Sequence, residues 1–134
     1  MALNPYIYEK KLIVQKQHLD KQDHVNNVQY VQWVQDVAEE HWKKRATQEQ
    51  LKKYIWVVVR HEINYKKEAF LGDNISLQTY VGKATHVTSI RHVLIKNSDT
   101  DKLLAEAKTS WCLLDASTKK PSKISEELKR VFLQ

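Results

Sequence analysis

The sequence predicts an α+β domain in which an antiparallel β-sheet wraps around one long α-helix. Two observations lead to this fold class: apolar side chains recur at the three-and-four spacing of a helix face from Asn27 onward, and successive runs of β-branched residues follow. Because the strands come in succession rather than alternating with helices, an antiparallel sheet is favoured over parallel βαβ units. The 134 residues contain no repeat and no linker, so residues 1–134 are expected to form a single domain.

The first elements along the chain are a strand and this helix. The stretch "IYEKKLIVQ" at 7–15 predicts a strand that ends near His18. The helix begins at Asn27, and its buried face is expected to consist of Tyr30, Val31, Val34, Val37, Ala38, His41 and Trp42. On the opposite face the glutamates at 39 and 40 each precede a lysine by four residues, which predicts two ion pairs.

The rest of the chain predicts four strands and a short closing helix. "YIWVVVRHEINY" is one strand, and "NISLQTYVGKATHVTSIRHVLIKN" is two strands joined near Gly82 to Thr85. "KLLAEAKTSWCLLDA" is the last strand, in which charged and polar side chains alternate with small and apolar ones. "SEELKRVFL" predicts a helix capped by Ser125, with Glu126 and Arg130 as an ion pair.

The composition excludes several classes of function. Only two glycines occur, Gly72 and Gly82, so there is no glycine-rich loop of the P-loop or Rossmann type. The single cysteine, Cys112, excludes an internal disulfide and a zinc site built on thiolates, and no metal site is predicted. The net charge of +6 favours a polyanionic ligand. Because the lysines are scattered in pairs and not concentrated on one element, nucleic acid is not the expected partner, whereas a phosphorylated small molecule stays open.

No part of the sequence is expected to enter a membrane. No apolar run approaches the roughly 20 residues that span a bilayer, and the first residues lack a basic region followed by an apolar block. The sequence therefore predicts a soluble, cytoplasmic protein, and its single cysteine fits a reducing compartment.

The stretch "DKQDHVNN" at 20–27 places acids, amides and a histidine directly before the helix. On spacing alone, Asp20 is most simply a turn or cap residue, and Asn26 and Asn27 are equally natural caps. A chemical interpretation stands beside this one, because unpaired N–H groups at a helix N-terminus stabilise an anion and could equally hold the oxyanion of an acyl-transfer reaction. A thioester needs little further machinery, since a thiol with a pKa of about 8.5 leaves far more easily than an alkoxide.

The longer stretch "DKQDHVNNVQYVQW" resembles the Asp-x-x-Gly-His-Val-Asn-Asn-x-x-Tyr-x-x-Trp signature of hotdog-fold acyl thioesterases. This group includes the 4-hydroxybenzoyl-CoA thioesterase-like acyl-CoA enzymes and the plant acyl-ACP thioesterases. The stretches "INYKKEAFLGDNISLQTYV" and "LLDASTKKPSKISEEL" are similar to the second and third strands and to the closing segment of the same family. The resemblance therefore implies a hotdog fold along nearly the whole chain and a thioester hydrolase that needs no cofactor.

The resemblance also assigns roles to individual positions. Asp20 matches the catalytic carboxylate, which acts as nucleophile or as general base towards water. The catalytic turn is supported by His24 and Asn27. The backbone amides of the same segment, at Val25 and Asn26, correspond to those that polarise the thioester carbonyl. Tyr30 and Trp33 match aromatic positions of the helix and are expected to serve chiefly in packing, with Tyr30 also beside the substrate.

This sequence departs from the family pattern at two positions. Asp23 occupies the position that is Gly in the acyl-CoA branch, and Gln22 stands where the plant-type enzymes carry an Asn. Aspartate tolerates a left-handed backbone better than most residues, so Asp23 is expected to adopt the conformation that the turn requires. It also brings a second carboxylate close to the expected site.

The resemblance further implies an acyl-CoA substrate and an assembly of identical subunits. Lys83 and Arg91 are expected to contact the phosphates of coenzyme A at the surface. Catalytic sites of the family lie between two subunits, which pair edge to edge into a dimer that is often paired again into a tetramer. The expected reaction converts an acyl-CoA to a free carboxylic acid and CoA.

Three alternatives stay open beside acyl-CoA hydrolysis. Acyl carrier protein could replace CoA as the acyl donor, in which case the basic surface would meet an acidic partner. The domain could also bind acyl-CoA without hydrolysing it. A hotdog dehydratase ranks last, because the sequence shows no histidine paired with an acid on an extended loop and helix.

Overall fold

The computed structural model describes residues 4–133 of the chain and shows one five-stranded antiparallel sheet with a long helix packed against it. The strands are β1 (Tyr8–Ile13), β2 (Tyr54–Tyr65), β3 (Asn74–Ala84), β4 (Thr88–Asn97) and β5 (Leu103–Asp115), in the spatial order β1-β3-β4-β5-β2. The helices are α1 (Asn27–Arg45), α2 (Gln48–Lys53) and α3 (Glu126–Arg130). The predicted α+β arrangement is confirmed, and β1 and β2 form the two edges of the sheet.

Most predicted elements lie where the sequence placed them, and two differ. β1 ends at Ile13 and not near His18, because Lys16–His18 form a 3₁₀ turn in which His18 Nδ1 accepts the Gln15 N–H at 2.9 Å. The helix α2 was not predicted. Its six residues are too few to show a helical period, and a cap holds them in place, since Thr47 Oγ1 accepts the backbone N–H of Gln50 at 3.1 Å.

The core lies between α1 and the concave face of the sheet. It joins Val34 and Val37 of α1 to Leu77 of β3 and to Val93 and Ile95 of β4, all fully buried. Each such side chain contributes about 1.5–3 kcal/mol to stability through its burial. The interface between α1 and the sheet is therefore the main source of stability, and it fixes the position of both ends of the helix.

The buried face of α1 is wider than its apolar spacing predicted. The predicted residues Tyr30, Val34, Val37, Ala38 and His41 are buried, whereas Val31 and Trp42 are only partly covered. Trp33 was not included in that face, yet it is only 3% exposed. The Trp33 ring packs edge-on against that of His18, with centroids 5.2 Å apart, so the turn between β1 and α1 covers this side of the helix.

The alternation predicted for β5 holds along most of the strand. Ala105, Ala107 and Thr109 are buried against the core, whereas Lys108 is exposed. Leu104 breaks the pattern because it is also buried: the register with β4 shifts between Ile95 and Lys96, which leaves an extra residue on β5 at this point. Such a bulge turns two consecutive side chains towards the same layer.

None of the three predicted ion pairs is found within residues 4–133, and two of the glutamates pair with other lysines. Glu40 Oε1 lies 3.1 Å from Lys10 Nζ of β1, so this pair joins the helix to the sheet instead of lying along the helix. Glu126 pairs with Lys129 at 3.2 Å and not with Arg130. The cap of α3 is confirmed, since Ser125 Oγ accepts the backbone N–H of Leu128 at 3.2 Å.

None of the helices in residues 4–133 is long and apolar enough to cross a membrane.

Candidate active site

The chain between β1 and α1 forms a tight loop that backbone hydrogen bonds fix to the rest of the fold. An isolated bridge pairs Leu19 with Val25, and a second pairs His24 with Phe70. At the tip of the loop the Asp20 N–H donates to the His24 carbonyl at 2.9 Å and the Asp23 N–H donates to the Asp20 carbonyl at 3.2 Å. The loop therefore holds Asp20 in one place beside the start of α1.

Asp23 provides the change of direction in this loop. Its φ angle is 62°, in the left-handed region, which confirms the prediction that an aspartate can take the position of the glycine in the acyl-CoA branch. A left-handed residue other than glycine costs about 1–2 kcal/mol in ordinary cases, and aspartate is among the residues that tolerate it best. The departure at Asp23 thus preserves the shape of the turn.

The Asp20 carboxylate is oriented by two donors. Its Oδ1 accepts the backbone N–H of Gln22 at 2.9 Å, and its Oδ2 lies 3.3 Å from His24 Nδ1. The side chains of Asp20 and His24 are 23% and 26% exposed, so the pair is partly covered but still reachable from solvent. A carboxylate fixed by two donors and open on one side has the features of a nucleophile or of a general base.

The other ring nitrogen of His24 lies on a more exposed side. His24 Nε2 is 3.8 Å from Glu68 Oε1, at the edge of salt-bridge distance. When His24 Nδ1 carries the hydrogen that Asp20 accepts, Nε2 of the neutral ring is left as an acceptor. The geometry therefore makes His24 an orienting partner of Asp20, in agreement with the supporting role that the sequence predicted.

The start of α1 is capped by the side chain of Asn26. Its Oδ1 accepts the backbone N–H of Val28 at 3.0 Å, as the capping interpretation predicted. The backbone N–H of Gln29 donates to the Asn26 carbonyl at 2.9 Å. The structural interpretation of the asparagine pair is therefore confirmed for Asn26.

The backbone donors expected at Val25 and Asn26 are already used within the fold. The Val25 N–H donates to the Ala69 carbonyl at 2.9 Å, and the Asn26 N–H donates to the His18 carbonyl at 3.0 Å. A bonded N–H cannot bind an oxyanion without losing its first acceptor, so these two positions are corrected. Within residues 4–133 the N–H of Asn27, at the exposed start of α1, has no acceptor.

Tyr30 is buried in the first turn of α1. It is only 2% exposed and packs edge-on against Trp33 and against Tyr65, with ring centroids 5.6 Å apart in both cases. Burial raises the pKa of Tyr30 to about 12, so the phenol is neutral and contributes packing. Tyr65 also donates a long hydrogen bond of 3.4 Å to the Asn27 carbonyl, which ties the end of β2 to the start of α1.

Exposed apolar side chains surround the loop. Val28 and Tyr65 lie beside the start of α1, and Phe70 and Leu71 follow the carbonyl that accepts the Val25 N–H; all four are large hydrophobic residues that solvent reaches. None of these four residues was predicted to belong to the site. A signal was present, since Tyr65 and the pair Phe70–Leu71 fall in the quoted stretch "INYKKEAFLGD".

The two basic residues expected at the coenzyme phosphates lie in different surroundings. Lys83 is exposed near the end of β3, where the assignment stays a prediction. Arg91 is only 5% exposed and points into the core, where its Nη1 lies 2.9 Å from His41 Nδ1 and 3.0 Å from Thr79 Oγ1. The prediction that Arg91 contacts the coenzyme A phosphates at the surface is therefore wrong. The burial of Arg91 could have been predicted from the sequence, because Arg91, Val93 and Ile95 are spaced by two residues and share the buried face of β4.

Within residues 4–133, no group of three His, Cys, Asp or Glu side chains is arranged as a metal site.

With this geometry in view, the chain can be placed in a family. Residues 5–132 match the acyl-ACP thioesterase N-terminal domain family, and the chain belongs to this family. It is 33% identical over 85 residues to the chloroplastic palmitoyl-acyl carrier protein thioesterase of Gossypium hirsutum, which covers 63% of this chain and 21% of that protein. The chain thus spans about a fifth of the length of this plant relative.

A bacterial sequence and a bacterial crystal structure match over nearly the whole chain. The long-chain acyl-CoA thioesterase FadM of Escherichia coli K12 is 22% identical over 128 residues, which cover 94% of this chain and 97% of FadM. The crystal structure of YbaW, a probable thioesterase from E. coli, superposes with a TM-score of 0.83 at 21% identity and covers 94% of this chain and 98% of that chain. The predicted hotdog fold is confirmed by this likeness.

Proposed function

We propose that this protein hydrolyses an acyl-CoA to a free carboxylic acid and CoA, with the Asp20 carboxylate as the catalytic group. One observation carries the proposal. The partly exposed carboxylate of Asp20, oriented by the Gln22 N–H and by His24, lies in the loop that ends at α1, whose first residue, Asn27, has an N–H group without an acceptor in the described part of the chain. Membership of the acyl-ACP thioesterase N-terminal domain family supports thioester hydrolysis as the reaction class.

The thioester carbonyl would accept a hydrogen bond from the Asn27 N–H, where the positive end of the α1 dipole stabilises the developing oxyanion. Two routes then use Asp20. As a nucleophile, its carboxylate attacks the carbonyl carbon, the thiolate leaves, and water hydrolyses the resulting mixed anhydride. As a general base, it takes a proton from water while the oxygen attacks, and the tetrahedral intermediate expels the thiolate. His24 holds Asp20 in orientation on both routes.

CoA is the donor that the match to FadM supports, because the two chains align along almost their whole lengths. Lys83, which is exposed, would contribute a positive charge to the binding of a polyphosphate. Acyl carrier protein is the second candidate donor, and the family match favours it. The chemistry at Asp20 is the same for both donors, so the difference lies in what the surface binds.

A thiol-release assay with purified protein tests the function. Acyl-CoAs and acyl-ACPs of matched chain length are offered at equal concentrations, and the released thiol is followed by a colorimetric reagent. We expect turnover with acyl-CoA that exceeds turnover with acyl-ACP. Faster turnover with acyl-ACP would identify acyl carrier protein, and not CoA, as the acyl donor. Saturable acyl-CoA binding without thiol release from either donor would refute hydrolysis and favour a binding module.

Lys83→Met tests the phosphate contact separately from the chemistry. Because a solvent-exposed phosphate contact is mainly electrostatic, we expect the variant to raise KM for acyl-CoA a few-fold at low salt, to leave kcat unchanged, and to weaken the salt dependence of KM. Lys108→Met, which removes an equally exposed lysine from β5, is the matched control. An equal change of KM in both variants would show that Lys83 makes no specific contact with the phosphates.

We also propose that the protein acts as a homodimer, which in turn could pair into a tetramer, with its sites near the subunit boundary. The support is the open edge of β2, a strand of 12 residues that exposes Val57, Val59 and Tyr65. A long apolar edge strand is a template for pairing with another chain. Sedimentation velocity should show a dimer or a tetramer, and a folded monomer at micromolar concentration would overturn this proposal.

We place the reaction in the cytoplasm. Cys112, the one cysteine of the chain, is a free thiol, as is usual in a reducing compartment.

A further inference from the structure

A cavity of about 540 Å³ opens beside the C-terminal half of α1, at the end of the helix away from Asp20. Its walls are largely aromatic and include Trp42, Tyr54, Trp56, Trp111 and Phe132. The volume lies in the range of small-molecule sites, about 300–1,000 Å³. His41 of α1 is hydrogen-bonded to Arg91 in the wall of this cavity. At a rise of 1.5 Å per residue, His41 lies about 21 Å along the helix axis from Asn27. Within one subunit the cavity is therefore separate from the loop that holds Asp20.

Arg91 is the charged side chain buried in the wall of this cavity. Within residues 4–133 its hydrogen bonds are made by Nη1 alone, to His41 Nδ1 and to Thr79 Oγ1. Its guanidinium carbon also lies 5.2 Å from the centre of the Phe132 ring. None of the ion pairs found in the described part of the chain includes Arg91.

The two partners of Arg91 carry no negative charge. Burial, together with the charges of Arg91 and Arg45, lowers the pKa of His41 to about 3, so its ring is neutral and Nδ1 accepts the hydrogen bond. Thr79 Oγ1 gives its own hydrogen to the His92 carbonyl at 2.9 Å and can only accept from Arg91. Burial lowers the pKa of Arg91 to about 9, which still leaves the guanidinium charged at neutral pH.

A second hydrogen-bond donor in the same wall lacks an acceptor. The indole N–H of Trp56 is buried, and within residues 4–133 it has no partner. Trp56 and Arg91 both border the Phe132 ring, with centroids of Trp56 and Phe132 6.3 Å apart. The cavity therefore contains two groups with unused hydrogen-bond donors, the Arg91 guanidinium and the Trp56 indole, among apolar side chains. Glu39 and Lys43, which also line it, are exposed and of opposite charge.

We propose that this cavity binds an apolar ligand that ends in a carboxylate, with the carboxylate paired to the Arg91 guanidinium. A buried charge without a counterion is costly, and a carboxylate is the group that the planar fork of arginine binds in a bidentate manner. The aromatic walls take the apolar part of the ligand, and the Trp56 N–H supplies one more donor to the anion.

Two kinds of molecule carry this chemistry. One is a free carboxylic acid with an apolar chain, and the other is an acyl thioester with a second carboxylate at the far end of its chain. The second source rests on the proposed function and on the proposed homodimer, in which the thioester would meet the Asp20 loop of the other subunit. Binding of a free acid depends on neither.

The test is a fluorescence titration of the wild-type protein with decanoate and with decanol, two ligands of equal chain length that differ in charge. Three tryptophans line the cavity, so ligand binding should change their emission. We expect wild type to bind decanoate about 10- to 100-fold more tightly than decanol, the range of a charge-assisted hydrogen bond. Arg91→Met should lose this preference, and the exposed Lys108→Met should keep it.

Equal affinity of the wild type for decanoate and decanol, or an unchanged preference in Arg91→Met, would overturn the proposal. Arg91→Lys covers the case in which Arg91→Met fails to fold: it keeps the charge and loses the fork, so a reduced preference for decanoate is expected.

Thiol release from decanoyl-CoA and from the CoA thioester of decanedioic acid identifies the source. If wild type prefers the diacid thioester and Arg91→Met does not, the ligand is the substrate itself. If no such preference exists while decanoate still binds, the ligand is a free acid. Absence of thiol release from both thioesters would refute the proposed function and leave the titration as the test of the cavity.

Discussion

The two ends of α1 hold polar side chains in opposite ways. At the N-terminal end, Asp20 and His24 are partly exposed and are fixed by contacts within a few residues of each other. At the C-terminal end, His41 and Arg91 are buried, and their hydrogen bond joins residues 50 positions apart. Of these four residues only His41 belongs to α1. The first pair is made by the loop before the helix, and the second by the packing of the helix against β4.

This difference separates chemistry from stability. A partly exposed group can meet substrate and water, and its loss removes few tertiary contacts. A buried polar group must have its partners, because an unsatisfied donor or acceptor in the core costs the full desolvation penalty. Substitutions at the Asp20 end should therefore change activity more than stability, whereas substitutions at the Arg91 end should change stability, ligand binding or both.

The largest effect on stability is expected for Thr79→Val. Thr79 is fully buried, and its hydroxyl both accepts from Arg91 and donates to the His92 carbonyl. Valine keeps the volume and removes both bonds, so the free energy of unfolding should fall by about 1–3 kcal/mol. Denaturant titration measures this change.

Thr85→Val is the matched control, since Thr85 is exposed and its hydroxyl makes one hydrogen bond of 3.2 Å in a turn. It should change the free energy of unfolding by about 0.5 kcal/mol or less. Equal losses in the two variants would show that the buried cluster contributes no more than the surface.

A comparable effect is expected from the pH dependence of His41. Its pKa of about 3 in the folded protein lies below the ordinary value of 6.5, so the unfolded chain takes up a proton that the folded protein does not. The resulting stability is complete above pH 6.5 and is lost as the pH falls towards 3, with a slope that approaches about 1.4 kcal/mol per pH unit.

His41→Asn, which keeps an acceptor for Arg91 and does not titrate, isolates this contribution. Between pH 7 and pH 5, the free energy of unfolding should fall more steeply for wild type than for the variant. Parallel curves would mean that the pKa of His41 is the same in the folded and the unfolded protein.

The smallest effect is expected at Asp23, whose φ angle of 62° favours glycine. Asp23→Gly removes the strain but increases the entropy of the unfolded chain, so the gain in stability should be below about 1 kcal/mol. Asp23→Ala, which cannot ease the strain, should be about 1 kcal/mol less stable than the glycine variant. If thermal unfolding finds the two variants equally stable, the turn imposes no left-handed requirement.

The same contrast explains what the sequence could predict. The Asn26 cap, the Asp20–His24 spacing and the left-handed Asp23 depend on neighbours within about four residues, so a pattern in the sequence reveals them. The strands were found for a similar reason, since the alternation of side chains is local.

The parts that were missed depend on contacts between distant segments. Val25 gives its N–H to Ala69, and Arg91 binds His41, and neither partner can be found without the register of the sheet. Trp33 was left out of the buried face because the spacing of apolar residues does not show that His18, from the turn before α1, packs against it. The bonds that occupy the N–H groups of Val25 and Asn26 were missed for the same reason.

Turnover of Asp20→Asn is the most direct test of the central claim, that the loop before α1 performs the chemistry. The variant keeps the size of the side chain and an oxygen for the Gln22 N–H, so its free energy of unfolding should change by about 1 kcal/mol or less. We expect thiol release to fall by about 10²–10⁴-fold, the usual contribution of a catalytic acid or base, while Asp23→Asn, in the same loop, changes it less than tenfold. Turnover by a folded Asp20→Asn variant at the wild-type rate would contradict the account.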